Sequence, residues 1–242
     1  MQRKLEILPG APDSANELDR IAVCELFDSI QGEGPRAGTP ATFLRLAGCN
    51  LQCSWCDTKY SWSPEELVSE QWSTADLKIV LQETVRSHLV VTGGEPLLQQ
   101  AALVEALRGV SDLVDIEVET NGTILPRKHG LLERVRWWSV SPKLASSGML
   151  QPRRRNDEAL EFFRRHEGAV LKLVVTRENC YEASSFAQHF GWPKSRVWLM
   201  PQASTREEFA NVGPAVAQFC VRYGFRFSPR LQLSLWNGEK GR

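Results

Sequence analysis

Short apolar runs recur along the chain, and stretches with helical spacing separate them. The runs are IAVCELF (21–27), ATFLRLA (41–47), HLVVTG (88–93), VDIEVETNG (114–122), WWSVSPK (137–143), AVLKLVVT (169–176) and RVWLMPQ (196–202). Their brevity and their Val and Ile content predict buried strands rather than helix segments. The stretches between them carry helix punctuation. Ser73 and Thr74 precede ADLKIVLQETVR, LLQQAALVEALRG ends at Gly109 as a C′ glycine, and Asn156 caps DEALEFFRRHE, which stops at Gly168. Thr205 followed by Glu208 fits a capping box that opens a helix toward Tyr223. Strand–helix alternation predicts βα units and a parallel sheet. No GxGxxG follows a strand, which removes the usual dinucleotide-binding signature. Polar or Gly-rich motifs end nearly every strand, where a barrel builds its site. The expected fold is therefore α/β, a partial (β/α)6-type TIM barrel, whose open side suits a larger substrate or a partner subunit. Residues 1–20 read as a loose N-terminal extension and residues 21–242 as one domain.

Composition narrows the function. Lys+Arg (29) cancels Asp+Glu (29), which argues against a surface that tracks nucleic acid or an acidic membrane. Neither a membrane span nor a signal peptide is visible, so the expected compartment is the cytoplasm. Six cysteines remain. Cys24, Cys180 and Cys220 are scattered singly and read as small buried hydrophobes. Cys49, Cys53 and Cys56 fall in one C-x3-C-x2-C run after a strand. Three thiolates so close can grip one face of a metal centre. A structural zinc site needs a fourth ligand, for which His88 is a candidate through the fold. A [4Fe–4S] cluster can be held by three cysteines, which leaves one iron open.

Other motifs carry chemistry of their own. In Thr92-Gly93-Gly94-Glu95-Pro96, glycines at a strand end let backbone approach a ligand, and the Glu95 carboxylate can accept from an amine. In SIQGEG, the Gln31 amide and the Glu33 carboxylate suit the edge of a flat heterocycle. Arg45, a lone cation in an apolar strand, reads either as a core-edge arginine paired to a carboxylate or as a clamp for a substrate carboxylate. Trp62 and Trp72 fit either a cover over the site, a partner contact or ordinary packing.

The cysteine run, with Trp55 before its last cysteine, resembles the signature loop of the radical S-adenosylmethionine superfamily, and the GGEP motif adds to that likeness. SIQGEG, FLRLAGCNL, CDT, TGGEP, ETNGT and SPK in this order resemble the 7-carboxy-7-deazaguanine synthases, from about Glu25 to Pro201. The resemblance implies that Cys49, Cys53 and Cys56 bind three irons of a [4Fe–4S] cluster and that S-adenosyl-L-methionine chelates the fourth. It implies cofactor contacts from Trp55 and Asp57, from Gly93, Gly94 and Glu95, from Ser141, Pro142 and Lys143, and from Gln202. It implies pterin-substrate contacts from Ile30, Gln31, Gly32, Arg45 and Thr92, which Glu33 would join, and a Mg2+ contact from Thr58. The implied reaction converts 6-carboxy-5,6,7,8-tetrahydropterin to 7-carboxy-7-deazaguanine with loss of ammonia. A flavodoxin or ferredoxin would supply the electron, and a homodimer is implied. A glycyl-radical activating enzyme shares the cysteine loop and is the rival reading; it lacks SIQGEG. One departure stands out: Gln232 falls where the family's C-terminal Pro-x-x-His pattern places histidine.

Overall fold

The computed structural model describes residues 18–85, 87–127 and 129–241, so most of the expected N-terminal extension (1–17) lies outside the described residues. Within them, one sheet is built from β1 (Arg20–Ile30), β2 (Pro40–Leu46), β3 (Glu70–Ser73), β4 (His88–Gly93), β5 (Asp115–Thr120), β6 (Trp137–Val140), β7 (Ala169–Val175), β8 (Val197–Pro201) and β9 (Arg226–Phe227). Its order is β3-β1-β2-β4-β5-β6-β7-β8-β9. β1 runs antiparallel to β2 and β3, and every pair from β2–β4 onward is parallel. This is the α/β, mostly parallel architecture that the alternation predicts. All seven expected strands form. β3 and β9 have no apolar run to announce them: EQWS is polar and half-exposed, and it forms by pairing with the free edge of β1.

The helices are α1 (Thr74–Thr84), α2 (Gln100–Leu107), α3 (His129–Arg134), α4 (Gln151–Arg154), α5 (Asp157–Arg165), α6 (Cys180–His189), α7 (Arg206–Tyr223) and α8 (Leu231–Trp236). Three expected caps are present: Ser73 accepts from the Asp76 N–H at 3.0 Å, Asn156 from Ala159 at 3.2 Å and Thr205 from Glu208 at 3.1 Å. Gly109 differs from its expected role. It has no positive φ. A Cβ there would stand 2.3 Å from Lys78 Cγ, so this glycine lets α2 approach α1.

Alternation along the strands divides the sheet into two chemically different faces. Leu44 and Leu46, Leu89 and Val91, Ile116 and Val118, Trp138 and Val140, and Leu171 and Leu173 join Leu77, Leu103, Leu160 and Phe163 of the helices in one core. Each such Leu or Val, fully buried, contributes roughly 1.5–3 kcal/mol. The intervening residues on the other face are Arg45, Thr92, Glu117, Glu119, Ser139, Ser141 and Lys172. Phe43, Ala41 and Val90, with Phe27 stacked on Phe43 at 5.2 Å, form a small apolar floor on that face. Among the described residues no helix is long and apolar enough to cross a membrane.

Candidate active site

A cavity of about 460 Å³ opens over the C-terminal ends of the parallel strands. One wall is the cysteine loop. Its approach depends on two glycines. Gly93 has φ +144, and a Cβ on it would meet the Leu46 carbonyl at 2.1 Å. A Cβ on Gly94 would meet the Gly48 carbonyl at 2.1 Å and Cys49 Cβ at 2.9 Å. The end of β4 therefore lies directly against the start of the loop, and Gly94 N–H donates to Leu46 at 3.1 Å while Glu95 N–H donates to Gly48 at 2.8 Å. Ser54 N–H donates to the Ser147 carbonyl at 3.0 Å. Asn121 Nδ2 donates to Asn50 Oδ1 at 2.9 Å, and Asn50 Nδ2 donates to Thr123 at 2.8 Å. The ETNGT motif thus braces the cysteine loop from the next strand.

Cys49, Cys53 and Cys56 all line this cavity. Leu51 N–H donates to Cys49 Sγ at 3.4 Å and Trp62 Nε1 to Cys56 Sγ at 3.2 Å. Burial pushes the Cys49 thiol up to about 11 and raises Cys53 as well, so binding a metal there must displace protons. Trp62 is accounted for by this contact with the loop, whereas Trp72, on β3, packs against the core. His88 is no candidate for a fourth ligand. It is the first residue of β4, bonded to Glu117 at 3.2 Å, about 16 Å of strand from Gly93 at the loop. Three polar atoms of cavity-lining residues, Trp55 Nε1, Gln202 Oε1 and Gln232 Oε1, are buried without a hydrogen-bond partner among the described residues. A ligand bearing polar groups would satisfy them. The donors aimed at sulfur and these orphaned atoms fit an iron–sulfur cluster with a polar organic cofactor beside it.

The opposite wall is the polar face of the sheet. Lys172 donates to Glu33 at 2.5 Å and to Glu119 at 3.2 Å. Burial works against the Glu33 charge, but Lys172 and Arg230 overcome it and hold the carboxyl at about 2. Arg230 bridges Glu33 at 3.3 Å, Asp57 and the Ala203 carbonyl. Thr92 donates to Glu119 at 2.9 Å. Deeper down, Arg36 grips Glu117 through Nε and Nη2 at 2.9 and 3.0 Å. Burial again opposes the Glu117 charge, and His88 and Arg36 hold it at about 2.

The expected substrate residues Ile30, Gln31, Gly32, Glu33, Arg45 and Thr92 border this cavity, as do Trp55, Asp57, Thr58, Gly93, Gly94, Ser141, Lys143 and Gln202. Pro142 and Glu95 do not. Glu95 is 0% exposed, and its carboxylate accepts from Leu97 N–H at 3.0 Å, Thr120 at 2.8 Å and Asn121 N–H at 2.7 Å. Despite these donors, burial raises its pKa. The expected amine acceptor is instead a knot between the GGEP and ETNG segments. Gln31 is 2% exposed, and its amide is turned to Glu33 N–H, Glu117 and Glu119. Arg45 combines its two readings. Its Nε donates to Glu25 at 2.7 Å and its guanidinium lies 5.9 Å from the Tyr60 ring centre, yet the residue still faces the cavity, with no hydrogen bond to its other guanidinium nitrogens among the described residues. Gln232 Nε2 donates to Glu33 at 2.7 Å. Cys180 and Cys220 are buried as expected, whereas Cys24 is half-buried.

Sequence reading missed Lys172, Arg230, Arg36, Glu117 and Tyr60, whose hydroxyl donates to the same Glu25 carboxylate that Arg45 engages, at 2.8 Å. The signal for Lys172 was a lone lysine inside AVLKLVV, the same kind of signal that singled out Arg45. Glu117 and Glu119 alternate in DIEVET, on one strand face.

A family model described as a 4Fe-4S single cluster domain matches residues 30–125. A 7-carboxy-7-deazaguanine synthase of Pyrobaculum aerophilum is 37% identical over 234 residues, covering 92% of this chain and 98% of that protein. Another, of Hyperthermus butylicus, is 35% identical over 223 residues, covering 88% and 92%. The crystal structure of QueE from Escherichia coli superposes with a TM-score of 0.61 at 26% identity, covering 86% of this chain and 93% of that one. With its cysteine loop and charged strand face around one cavity, the chain belongs to the 7-carboxy-7-deazaguanine synthase family.

Proposed function

We propose that the chain converts 6-carboxy-5,6,7,8-tetrahydropterin to 7-carboxy-7-deazaguanine with loss of ammonia, for queuosine and 7-deazapurine biosynthesis. The observation that carries this reading is the meeting of the cysteine loop and the polar strand face across one cavity. On this reading Cys49, Cys53 and Cys56 hold a [4Fe–4S] cluster. S-adenosylmethionine contacts Gly93, Gly94, Ser141, Lys143 and Gln202, with Trp55 and Asp57 beside it. Bound there, these groups would supply the one-electron chemistry that hydrogen-atom abstraction from the pterin requires.

This chain's own residues position and protect. The guanidinium nitrogens of Arg45 without a hydrogen bond among the described residues suit the substrate carboxylate, and Thr58 offers a hydroxyl to Mg2+ in the same cavity. Glu33 and Glu119, already fixed by Lys172, Gln232 and Thr92, present carboxylate oxygens to the pterin nitrogens. Fixed charges of this kind need no rearrangement during reaction. Glu95 and Gln31 act indirectly by locking the loops that carry these groups.

The sheet is, on this reading, an incomplete barrel. Leu231 N–H donates to the Gly32 carbonyl at 3.0 Å and Gly34 N–H to Ser228 Oγ at 2.9 Å, so the segment after β9 meets the end of β1. Residues 21–242 form one domain, which pairs as a homodimer, and a flavodoxin or ferredoxin supplies the electron. The test is anaerobic incubation of the reconstituted protein with the carboxytetrahydropterin, S-adenosylmethionine, Mg2+ and dithionite. The deazapurine acid is expected; its absence from protein with an intact cluster would overturn the reading.

A further inference from the structure

After α8 the chain turns back over the cavity. Asn237, with φ +52, and Gly238, with φ +77, adopt left-handed backbone in succession. The turn is anchored. Asn237 Oδ1 accepts from Arg206 N–H at 2.8 Å, and Arg206 Nη2 donates to the Leu235 carbonyl at 3.3 Å. A Cβ on Gly238 would stand 3.1 Å from the Ser204 carbonyl, so the turn lies close against the segment before α7. Gly238, Glu239, Lys240 and Gly241 consequently border the cavity.

Lys240 brings a cation to that border. Its ammonium rests 4.0 Å from the centre of the Tyr60 ring and forms no hydrogen bond or ion pair among the described residues. The Arg45 guanidinium lies 5.9 Å from the centre of the same ring, so one aromatic side chain touches both cations. Tyr60 is itself fixed. It is 8% exposed, and its hydroxyl donates to Glu25 at 2.8 Å. Glu25, which also holds Arg45 Nε, does not border the cavity, whereas Arg45 and Lys240 do. Of the acids on this side, Asp57 is taken up by Arg230, and Glu239 adjoins Lys240 along the chain.

We propose that Lys240 is a second carboxylate-binding cation of the cavity, acting with Arg45 on the carboxyl group of the substrate. The proposal rests on the reading of the substrate as a carboxylated pterin. A cation on the face of an exposed ring is held weakly. The ring therefore keeps the ammonium at the cavity without competing strongly with an anion. A carboxylate has two oxygens and can engage two cations at once, and charge-assisted contacts of this kind are the stronger hydrogen bonds. Lys240 stays exposed, so it also covers the ligand from the solvent side.

The probes are 6-carboxypterin, the oxidised and unreactive analogue, and pterin without the carboxyl group. Both are titrated calorimetrically into the cluster-loaded protein with S-adenosylmethionine and Mg2+ but no reductant. Lys240→Ala is expected to weaken 6-carboxypterin binding about fivefold, the upper range for a partly solvated ion pair, and to leave pterin binding at the wild-type value. Lys240→Arg restores most of the affinity. The gap between wild type and Lys240→Ala narrows as salt rises. In turnover of the carboxytetrahydropterin, kcat/KM of Lys240→Ala falls by the same factor through KM. Wild-type affinity of Lys240→Ala for 6-carboxypterin would overturn the proposal, as would an equal loss for both pterins, which marks a merely structural role. A wild-type chain that binds the two pterins alike would overturn it too. A wild-type chain that binds neither pterin and turns over no carboxytetrahydropterin would instead remove the reading beneath it.

Discussion

Lys172→Met tests whether the polar strand face is held as a charged unit. Lys172 is 5% exposed at the side chain and lies 2.5 Å from Glu33 and 3.2 Å from Glu119. Burial opposes its charge, but Glu119 and Glu33 outweigh burial and raise its pKa well above the usual lysine range. Removing one partner of a buried ion pair typically costs about 3–5 kcal/mol, because a charge is left uncompensated. Here Glu33 keeps Arg230 and Gln232, and Glu119 keeps Thr92, so the lower end, about 3 kcal/mol, is expected. The sign of the pH dependence follows from Glu33. Its carboxyl is depressed from 4.5 to about 2, which corresponds to roughly 3 kcal/mol of linked stability. That stability is complete above about pH 4.5 and is lost as pH falls toward 2. In the variant, burial acts on Glu33 with less opposition and its pKa moves up. The difference between wild type and variant should therefore be full at pH 7 and smaller at pH 3. Urea unfolding of the cluster-free protein at both pH values reads this as a shift in midpoint. A variant within about 1 kcal/mol of wild type at pH 7 would refute the charged-unit argument, as would a loss of equal size at pH 3.

Arg36→Ala should behave alike one layer deeper. Glu117, held at about 2 with His88 and Arg36 as its partners, loses its two-pronged donor, and thermal melts should show a larger loss at pH 7 than at pH 3. Gly94→Ala places a methyl 2.1 Å from the Gly48 carbonyl; it should displace the cysteine loop, and iron per chain after anaerobic reconstitution should fall severalfold while far-ultraviolet dichroism stays native. Asn156→Ala removes the acceptor for Ala159 N–H at the start of α5 and the amide that donates to the Thr123 carbonyl at 2.8 Å, and should cost about 1–2 kcal/mol in urea unfolding.

The sequence made the helix-facing side of the sheet legible because that side depends on short-range regularities. Val91, Val118, Val140 and Leu173 belong to short apolar runs that any parallel strand shows. The cysteine loop was legible because its spacing is local. The polar face was only partly legible, since its meaning lies in contacts across the sheet. Glu33 meets Lys172 and Arg230, residues separated from it by 139 and 197 positions. No window along the chain holds such a pair. Glu95 shows the opposite problem. Its motif suggested ligand contact, but its hydrogen bonds lead to Thr120 and Asn121.

The double use of such residues has one physical cause. A motif at a strand end serves both the ligand and the fold, and the two demands select the same residue types. Gly93 and Gly94 give backbone access, and they are also required by the approach of Leu46 and Gly48. Gln31 has the donor and acceptor that a heterocycle needs, yet it spends them on Glu33 N–H, Glu117 and Glu119. Among the groups that the cavity still offers are nitrogens of Arg45, carboxylate oxygens of Glu33 and Glu119, the orphaned atoms of Trp55, Gln202 and Gln232, and three thiols. Arg45, Glu33 and Glu119 are held by partners in the protein, so their positions are set before any ligand arrives. Binding then need not supply the energy of ordering them, and the cost of assembling these charges is met by the stability of the fold. The same charges that would orient a substrate should therefore also make the protein acid-labile.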